Sequence, residues 1–157
     1  MTGIKCEQCG ALVGGLVCGY CGAVPGSVGG IDEQQRALEQ YHALLRSRDR
    51  NTRIRLLGSG FLPDYSKLLI DAGLTCVSLI DDFGFGVSDA AAQRLEAIIM
   101  KLRLLPQDRE TQKAIALLQE KSDRRRVRSE RDTTRGLIAI AVFVSLLIAF
   151  AVWYFRA

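Results

Sequence analysis

Four cysteines near the N-terminus are the residues of this chain best suited to chemistry. They form two CxxC pairs, Cys6/Cys9 and Cys18/Cys21, with eight residues between the pairs. Tetrahedral Zn²⁺ takes thiolates at about 2.3 Å, and two tight turns supply two thiolates each. Because all four donors are cysteine, no coordination position remains for water. The sequence therefore predicts a structural rather than a catalytic Zn²⁺ site.

The segment CEQCGALVGGLVCGYCG resembles the short four-cysteine zinc ribbons found at one end of bacterial and archaeal membrane or adaptor proteins. The resemblance covers residues 1–23 and implies a small β fold and a metal, but no particular task. Glycine follows each CxxC pair, where a small residue lets backbone N–H groups approach the sulfurs. The intervening ALVGGLV is long enough for a short hairpin with Gly14 and Gly15 at its turn.

Two other interpretations of this segment are weaker. A redox dithiol is disfavoured by two symmetric pairs without a surrounding βαβ pattern. The 22 uncharged residues from Gly10 to Ile31 could suggest a signal peptide or membrane span, but eight glycines, a proline and two cysteines make a poor helix. A clustered quartet indicates metal ligands in a reducing compartment, and the fifth cysteine, Cys76, lies in an apolar run typical of buried packing.

The other informative segment is an apolar tail. Residues Leu137 to Phe155 contain no charge over 19 positions, and such a helix spans roughly 28 Å, close to the hydrocarbon thickness of a bilayer. Trp153 and Tyr154 stand where an interfacial aromatic belt is expected. A buried core helix is the alternative, but so short a chain has too little protein to surround it. We therefore expect a single-pass, tail-anchored transmembrane helix over 137–155.

A basic juxtamembrane segment, 121–136, precedes the tail and predicts its orientation. It holds seven basic and three acidic residues, whereas residues 1–120 hold 13 basic and 14 acidic ones. Positive charge before the span keeps the N-terminal part in the cytoplasm and also attracts anionic lipid. The topogenic effect is the simpler of these two explanations. The arginines expected at the membrane surface are Arg124, Arg125, Arg126, Arg128, Arg131 and Arg135.

Between the cysteines and the tail the sequence predicts a glycine-rich linker, 24–31, and a mainly α-helical domain, 32–120. Asp32 with Gln35 resembles a capping box that opens a first helix, which is expected to continue to stops at Gly58 and Gly60. The apolar positions of this helix recur at helical spacing. The overall class is thus a small β zinc ribbon, a helical middle and one transmembrane helix.

Three further helices are predicted in the middle domain. A short one runs from Pro63 to Gly73, a third from an N-cap at Ser88 to about residue 105, and a fourth from Gln107 towards the tail. The segment 74–80, LTCVSLI, fits either a buried strand or another helical turn.

Five arginines fall within the ten residues 46–55 and are opposed by one acid, Asp49. Such a run could bind phosphates or an acidic partner. A solvated helix face is the more ordinary explanation. The candidate partner-binding residues are Arg46, Arg48, Arg50, Arg53 and Arg55.

The remaining candidates give weaker signals. His42, the only histidine, has no evident acid or nucleophile beside it in sequence, so a surface or half-buried position is expected. Asp81 and Asp82 match calcium-loop patterns poorly. The loop from Phe83 to Gly86 carries two aromatics, for which packing is the default explanation and partner docking the alternative.

Three functions follow, in decreasing order of support. The first is a non-enzymatic, membrane-anchored adaptor that presents a cytoplasmic zinc-ribbon head to a protein partner. The second is a membrane-tethered nucleic-acid- or ribosome-associated ribbon. It is disfavoured because four thiolates with Zn²⁺ net −2 and few basic residues surround them. The third is an enzyme, for which the sequence supplies no acid, base and nucleophile in combination.

Overall fold

The computed structural model describes residues 4–26, 28–82 and 86–124 of the chain. By their contacts the residues fall into two units, Met1–Ser122 and Asp123–Ala157. Residues 125–157, which include the predicted tail 137–155 and most of the basic segment 121–136, lie outside the described residues. Among the residues that are described, no helix is both long enough and apolar enough to cross a bilayer.

The N-terminal part contains a two-stranded antiparallel sheet. Strands β1 (Ile4–Lys5) and β2 (Leu12–Val13) pair with Ile4 opposite Val13 and Lys5 opposite Leu12. A small N-terminal sheet is therefore confirmed, but the predicted hairpin with Gly14 and Gly15 at its turn is wrong. The strands flank the first CxxC pair, because the tight turn around these two cysteines itself reverses the chain.

The rest of the described chain is mainly helical, as predicted. Helices α1 (Ile31–Ser47), α2 (Arg50–Ser59), α3 (Ser66–Asp82) and α4 (Val87–Leu104) follow one another. A fifth helix, α5, begins at 109 and is still helical at 124, where the described residues end. The two domain boundaries predicted on either side of the glycine-rich segment stay predictions.

The first predicted helix is in fact two helices. Helix α1 starts at Ile31 after an N-cap at Gly30, so the predicted capping box at Asp32 is wrong. It ends at Ser47 because Asp49 caps a new helix, its carboxylate accepting hydrogen bonds from the backbone N–H of Asn51 and Thr52 at 3.0 and 3.1 Å. The one acid of the arginine run therefore sets a helix boundary.

Helix α3 corrects two further predictions. It begins three residues after Pro63, and it passes through Gly73 and includes all of 74–80, which is helical. A Cβ on Gly73 would stand 2.8 Å from the Leu118 side chain. The glycine is therefore a close contact between α3 and α5 and does not end the helix.

The N-terminus of α4 also differs from the prediction. Its N-cap is Gly86, with φ of 92°, and Ser88 lies inside the first turn. The Ser88 hydroxyl donates to the carbonyl of Ile80 at 3.1 Å, at the end of α3. The serine predicted to cap α4 therefore links α4 to the preceding helix.

One apolar core joins the helices. The contact between α3 and α4 is the largest, followed by that between α2 and α4. Val17, from the N-terminal part, is 3% exposed and belongs to this same core. The largest fully buried aliphatic side chains in it are Leu38, Leu56, Leu57, Leu69, Leu95, Ile98, Leu102 and Leu118.

A buried arginine ties α4 to the end of α2. Arg94 is 6% exposed, and its guanidinium donates to the carbonyls of Leu57 and Gly60 at 3.2 Å and to that of Phe61. It also lies over the Tyr41 ring, 4.7 Å from the centroid. The Leu57 carbonyl lies in the last turn of α2 and the other two follow that turn, where carbonyls have no partner within the helix.

Replacing Arg94 with Met should therefore lower the free energy of unfolding by about 2–4 kcal/mol, because several buried carbonyls lose charged donors at once. Chemical denaturation followed by circular dichroism measures this change. Arg103→Met on the same helix is the matched control, since Arg103 is exposed and its loss should change stability by less than about 0.5 kcal/mol. Equal effects of the two changes would contradict the structural role of Arg94.

Candidate metal centre

Each CxxC pair is held in the same backbone turn. In the first, the Cys6 carbonyl accepts from the N–H of Gly10 at 2.8 Å, and the Cys6 N–H donates to the carbonyl of Ala11 at 2.8 Å. The second pair repeats both bonds, at 2.8 and 2.7 Å, with Cys18, Gly22 and Ala23. The two turns are therefore duplicates of one local structure, although the intervening sequence is not repeated.

Glycine is required where each turn closes. Gly10 and Gly22 occupy the same position in the two turns and have φ of 74° and 76°. A side chain in this left-handed conformation costs roughly 1–2 kcal/mol. The glycines that follow each CxxC pair are thus explained by backbone geometry as well as by their small size.

The two turns bring the four sulfurs together. Cys6 Sγ lies 3.6 Å from Cys21 Sγ, and Cys9 Sγ lies 3.6 Å from Cys18 Sγ. All four sulfurs are within 4.8 Å of one another. A tetrahedron with thiolates about 2.3 Å from its centre has edges of about 3.8 Å, whereas a disulfide bond is about 2.05 Å long. The spacing is that of metal ligands, and all five cysteines are free thiols.

The thiols of this cluster differ in how readily they ionise. Hydrogen bonds from the backbone N–H of Cys9 and Gln8 lower the pKa of the Cys6 thiol to about 7. Burial raises the pKa of the Cys21 thiol to about 12. Four thiolates in so small a volume repel one another, so a cation at their centre is what favours full ionisation.

The cysteine turns pack directly against the helices. The hydroxyl of Ser59, at the end of α2, donates to the Cys21 carbonyl at 2.8 Å, and the N–H of Phe61 donates to the Gly22 carbonyl at 2.8 Å. On α1, Gln40 Oε1 accepts from the N–H of Leu16 and Val17 at 2.9 and 3.2 Å. Sequence reasoning missed these contacts. Val17 gave the only hint, since so short a ribbon has room to bury few apolar side chains by itself.

Gly22 has a second role at this contact. A Cβ there would stand 2.9 Å from the Gly60 Cα and 2.9 Å from the Tyr41 ring, whereas a Cβ on Gly10 would meet nothing within 4 Å. Gly22 therefore allows the second turn to approach the end of α2, and Gly10 serves its own turn only.

The predicted arginines lie where α1 meets α2, and several contact the second turn. Arg55 donates from Nε to the Tyr20 carbonyl at 2.9 Å, and its guanidinium stacks on the Tyr20 ring at 3.8 Å. Arg48 Nη2 lies 3.5 Å from where a Cβ on Gly19 would be. Arg53 Nη2 donates to the Arg46 carbonyl at 3.1 Å. The structure thus brings Arg48 and Arg55 against the metal-binding turn, while Arg53 links α2 to the end of α1.

The weaker candidates fall elsewhere. His42 is half-buried, its Nδ1 lies 3.8 Å from an Asp71 carboxylate oxygen, and burial lowers its pKa. Cys76 is 2% exposed, and burial raises its pKa to about 11. Asp81 and Asp82 belong to the last turn of α3, while residues 83–85 of the predicted aromatic loop lie outside the described residues.

The four cysteines and the antiparallel strands together fit a zinc-ribbon-like motif. Comparison of the chain with protein-family models, curated proteins and solved structures gives no match. The motif is therefore identified by its own geometry: the duplicated turns, the spacing of the sulfurs and the positive φ of two glycines.

The two glycines make a matched pair for testing the contact with the helices. We expect Gly10→Ala to lower the free energy of unfolding by about 1 kcal/mol through backbone strain alone. Gly22→Ala adds a clash with Gly60 and Tyr41 and should cost roughly 2–4 kcal/mol. Urea denaturation of the metal-loaded protein measures both. The contact is refuted if the two substitutions are equally costly.

Metal binding and helix stability should be linked. Elemental analysis of the full chain in detergent should find one metal ion per chain, and Cys18→Ser should abolish that stoichiometry. Because Val17 belongs to the helical core, losing the metal should also lower the melting temperature followed by helical circular dichroism. Cys76→Ala, the matched control, removes a buried thiol without changing metal content. Unchanged helix melting after metal loss would contradict the linkage.

Proposed function

We propose that this protein is a membrane-anchored, zinc-stabilised adaptor that presents a protein-binding surface in the cytoplasm. The observation that carries this proposal is the closed cluster of four cysteine sulfurs, packed against a helical body. The metal is Zn²⁺, and its role is structural. Binding, rather than chemistry at the metal, is the function that such an arrangement supports.

The donor set supports zinc and argues against catalysis at the metal. Four thiolates at tetrahedral spacing are the ligands of structural Zn²⁺ sites, whereas catalytic sites keep one position for water or substrate. Three of the four cysteines are buried and Cys9 is half-buried. A substrate would have to displace a thiolate before it could reach the ion.

The packing of the ribbon supports a composite binding surface. A ribbon on a flexible tether would act as an independent head, but this one is hydrogen-bonded to two helices. Its backbone donates to Gln40 of α1 and accepts from the Ser59 hydroxyl of α2. The ribbon leaves apolar side chains exposed on both faces of its sheet and on the second cysteine turn, with Ile4 69%, Leu12 72% and Tyr20 51% exposed. Exposed aliphatic and tyrosine side chains of this kind are typical of protein-binding surfaces.

The membrane part of the proposal is supported by sequence. Residues 137–155 are uncharged and long enough to span a bilayer, and the basic segment 121–136 stands on one side of them. An anchored adaptor meets membrane partners at raised effective concentration, so individually weak contacts suffice. The helical body then faces the cytoplasm, where thiols stay reduced and available to zinc.

Crosslinked co-purification from native membranes tests this function. The wild-type chain should remain in the membrane fraction and give a discrete crosslinked partner. Ile4→Ser combined with Leu12→Ser should remove the partner while membrane association and zinc content are retained. Leu146→Arg with Leu147→Arg should release the chain into the soluble fraction, because each central charge costs about 2.5–3.5 kcal/mol.

Ser129→Arg with Thr133→Arg is the matched control for the tail change. It adds the same two charges outside the predicted span and should leave the chain in the membrane. Membrane retention of the Leu146 and Leu147 double variant would reject the anchor. Partner capture that survives the Ile4 and Leu12 changes would reject the ribbon as the binding head.

A further inference from the structure

The arginines where α1 meets α2 form one continuous surface with the second cysteine turn. We call this surface the arginine corner, and it consists of Arg46, Arg48, Arg53, Arg55 and Tyr20. Arg53 contacts Arg46 through its hydrogen bond to the carbonyl, and Arg55 covers the Tyr20 ring. The positive charge comes from α1, α2 and the residues between them, and the ribbon contributes the Tyr20 ring on which Arg55 stacks.

The geometry excludes the fifth arginine of the run from this surface. Arg50 Nη2 lies 3.2 Å and Ile54 Cδ1 lies 3.1 Å from where a Cβ on Gly86 would be. Arg50 is therefore directed to the start of α4 and away from the second cysteine turn. The sequence, which places all five arginines within ten residues, does not distinguish it.

Asp49 is the one acid within the arginine run, and its carboxylate is engaged in capping α2. The Asp49 carboxylate accepts two backbone hydrogen bonds as the N-cap of α2. Its hydrogen bonds, above all with Thr52, lower the pKa of this carboxyl group. Asp49 is thus committed to the helix terminus and stays charged there.

The arginine corner is the main positive region of the part of the chain that the structure describes. The four arginines of the corner and Asp49 carry a net charge of +3. Residues 4–124 as a whole hold 15 basic and 15 acidic side chains. The rest of this range therefore carries −3, and the corner is a local positive surface on an otherwise acidic body.

We propose that the arginine corner binds a short acidic segment of a protein partner. This proposal rests on the adaptor function and specifies one class of partner for it. Guanidinium groups bind carboxylates through paired N–H donors, which favours Arg over Lys at such a surface. Arg55 is pre-oriented for this by its stacking on Tyr20 and its bond from Nη2 to the Thr52 hydroxyl at 3.3 Å.

The charge distribution favours a short acidic peptide over a nucleic acid. A nucleic acid carries phosphates along its whole length, so beyond the corner it would meet the net −3 of the surrounding body. The adjacent site, four thiolates with Zn²⁺, adds −2 on one side. A segment with a few clustered carboxylates matches the size of the corner and avoids this repulsion.

Binding of a fluorescein-labelled decaglutamate peptide to the zinc-loaded full chain in neutral detergent tests the proposal. Fluorescence anisotropy at low salt should show binding that weakens as salt rises. Arg46→Ser combined with Arg48→Ser should weaken it about tenfold, since each exposed ion pair contributes up to roughly fivefold. Arg36→Ser with Arg103→Ser removes two exposed arginines elsewhere and should weaken it less than twofold.

Two outcomes overturn the proposal. Equal weakening by the corner and control variants would mean that only net charge matters. Tighter binding of labelled decauridylate than of decaglutamate, lost in the corner variant, would assign the corner to nucleic acid. In either case the adaptor function would still be supported if capture of a crosslinked membrane partner depends on Ile4 and Leu12. Failure of the acidic-peptide proposal can therefore be told apart from failure of the adaptor function.

Discussion

The mutual repulsion of four clustered thiolates, and the cation that relieves it, is the constraint on which the N-terminal structure depends. The buried side chains of the ribbon are Cys6, Val13, Cys18, Cys21 and Ala23. Three of these five are metal ligands, so the interior of the ribbon is the metal site itself. The other two, Val13 and Ala23, bury too little apolar area to stabilise a fold by themselves. We therefore expect metal binding to supply most of the folding free energy of this part of the chain.

The same constraint explains why the ribbon is packed against the helices. The small interior of the ribbon is filled by the cysteines, Val13 and Ala23, and Val17 is buried in the core of the helices instead. Gly22 and Gly60 meet where Cβ atoms would collide, and Ser59 satisfies the Cys21 carbonyl at that contact. Metal occupancy is thereby linked to the end of α2, from which Arg55 reaches the second cysteine turn. The arginine corner exists because the ribbon is in place.

The cysteine site could be predicted because its chemistry is local. Two CxxC pairs define ligand type, number and spacing without reference to the rest of the fold, and the predicted sulfur cluster is what the structure contains. Most helices could also be predicted from apolar periodicity. The helix boundaries were harder because glycine and aspartate each serve several purposes. Gly73 is of the residue type that commonly ends a helix, but here it allows close contact between two helices. Asp49 lies in a run of arginines and caps a helix.

Contacts between segments far apart in the sequence could not be predicted, because no residue type or local pattern indicates which distant residue it will meet. Gln40 and Ser59 are ordinary polar side chains on helix surfaces, and only the folded chain places them against Leu16 and Cys21. The division of the five arginines has the same origin. Arg48 and Arg55 lie against the second cysteine turn and Arg50 lies at the start of α4, a difference that their positions in the run do not reveal.

The separation of positive charge into two places fits the proposed adaptor. One basic segment, 121–136, adjoins the apolar tail, and the other, 46–55, lies beside the metal site, while the rest of residues 1–120 is net acidic. An anionic membrane surface attracts the first, at about 1 kcal/mol per basic residue near the surface. The second is then left for a partner of a different kind. Exposed arginine pairs contribute less than about 1 kcal/mol each in free solution, so a corner of four would bind weakly there. Confinement to a membrane raises the effective concentration of a membrane-bound partner, and under that condition weak, salt-sensitive contacts are sufficient and remain reversible.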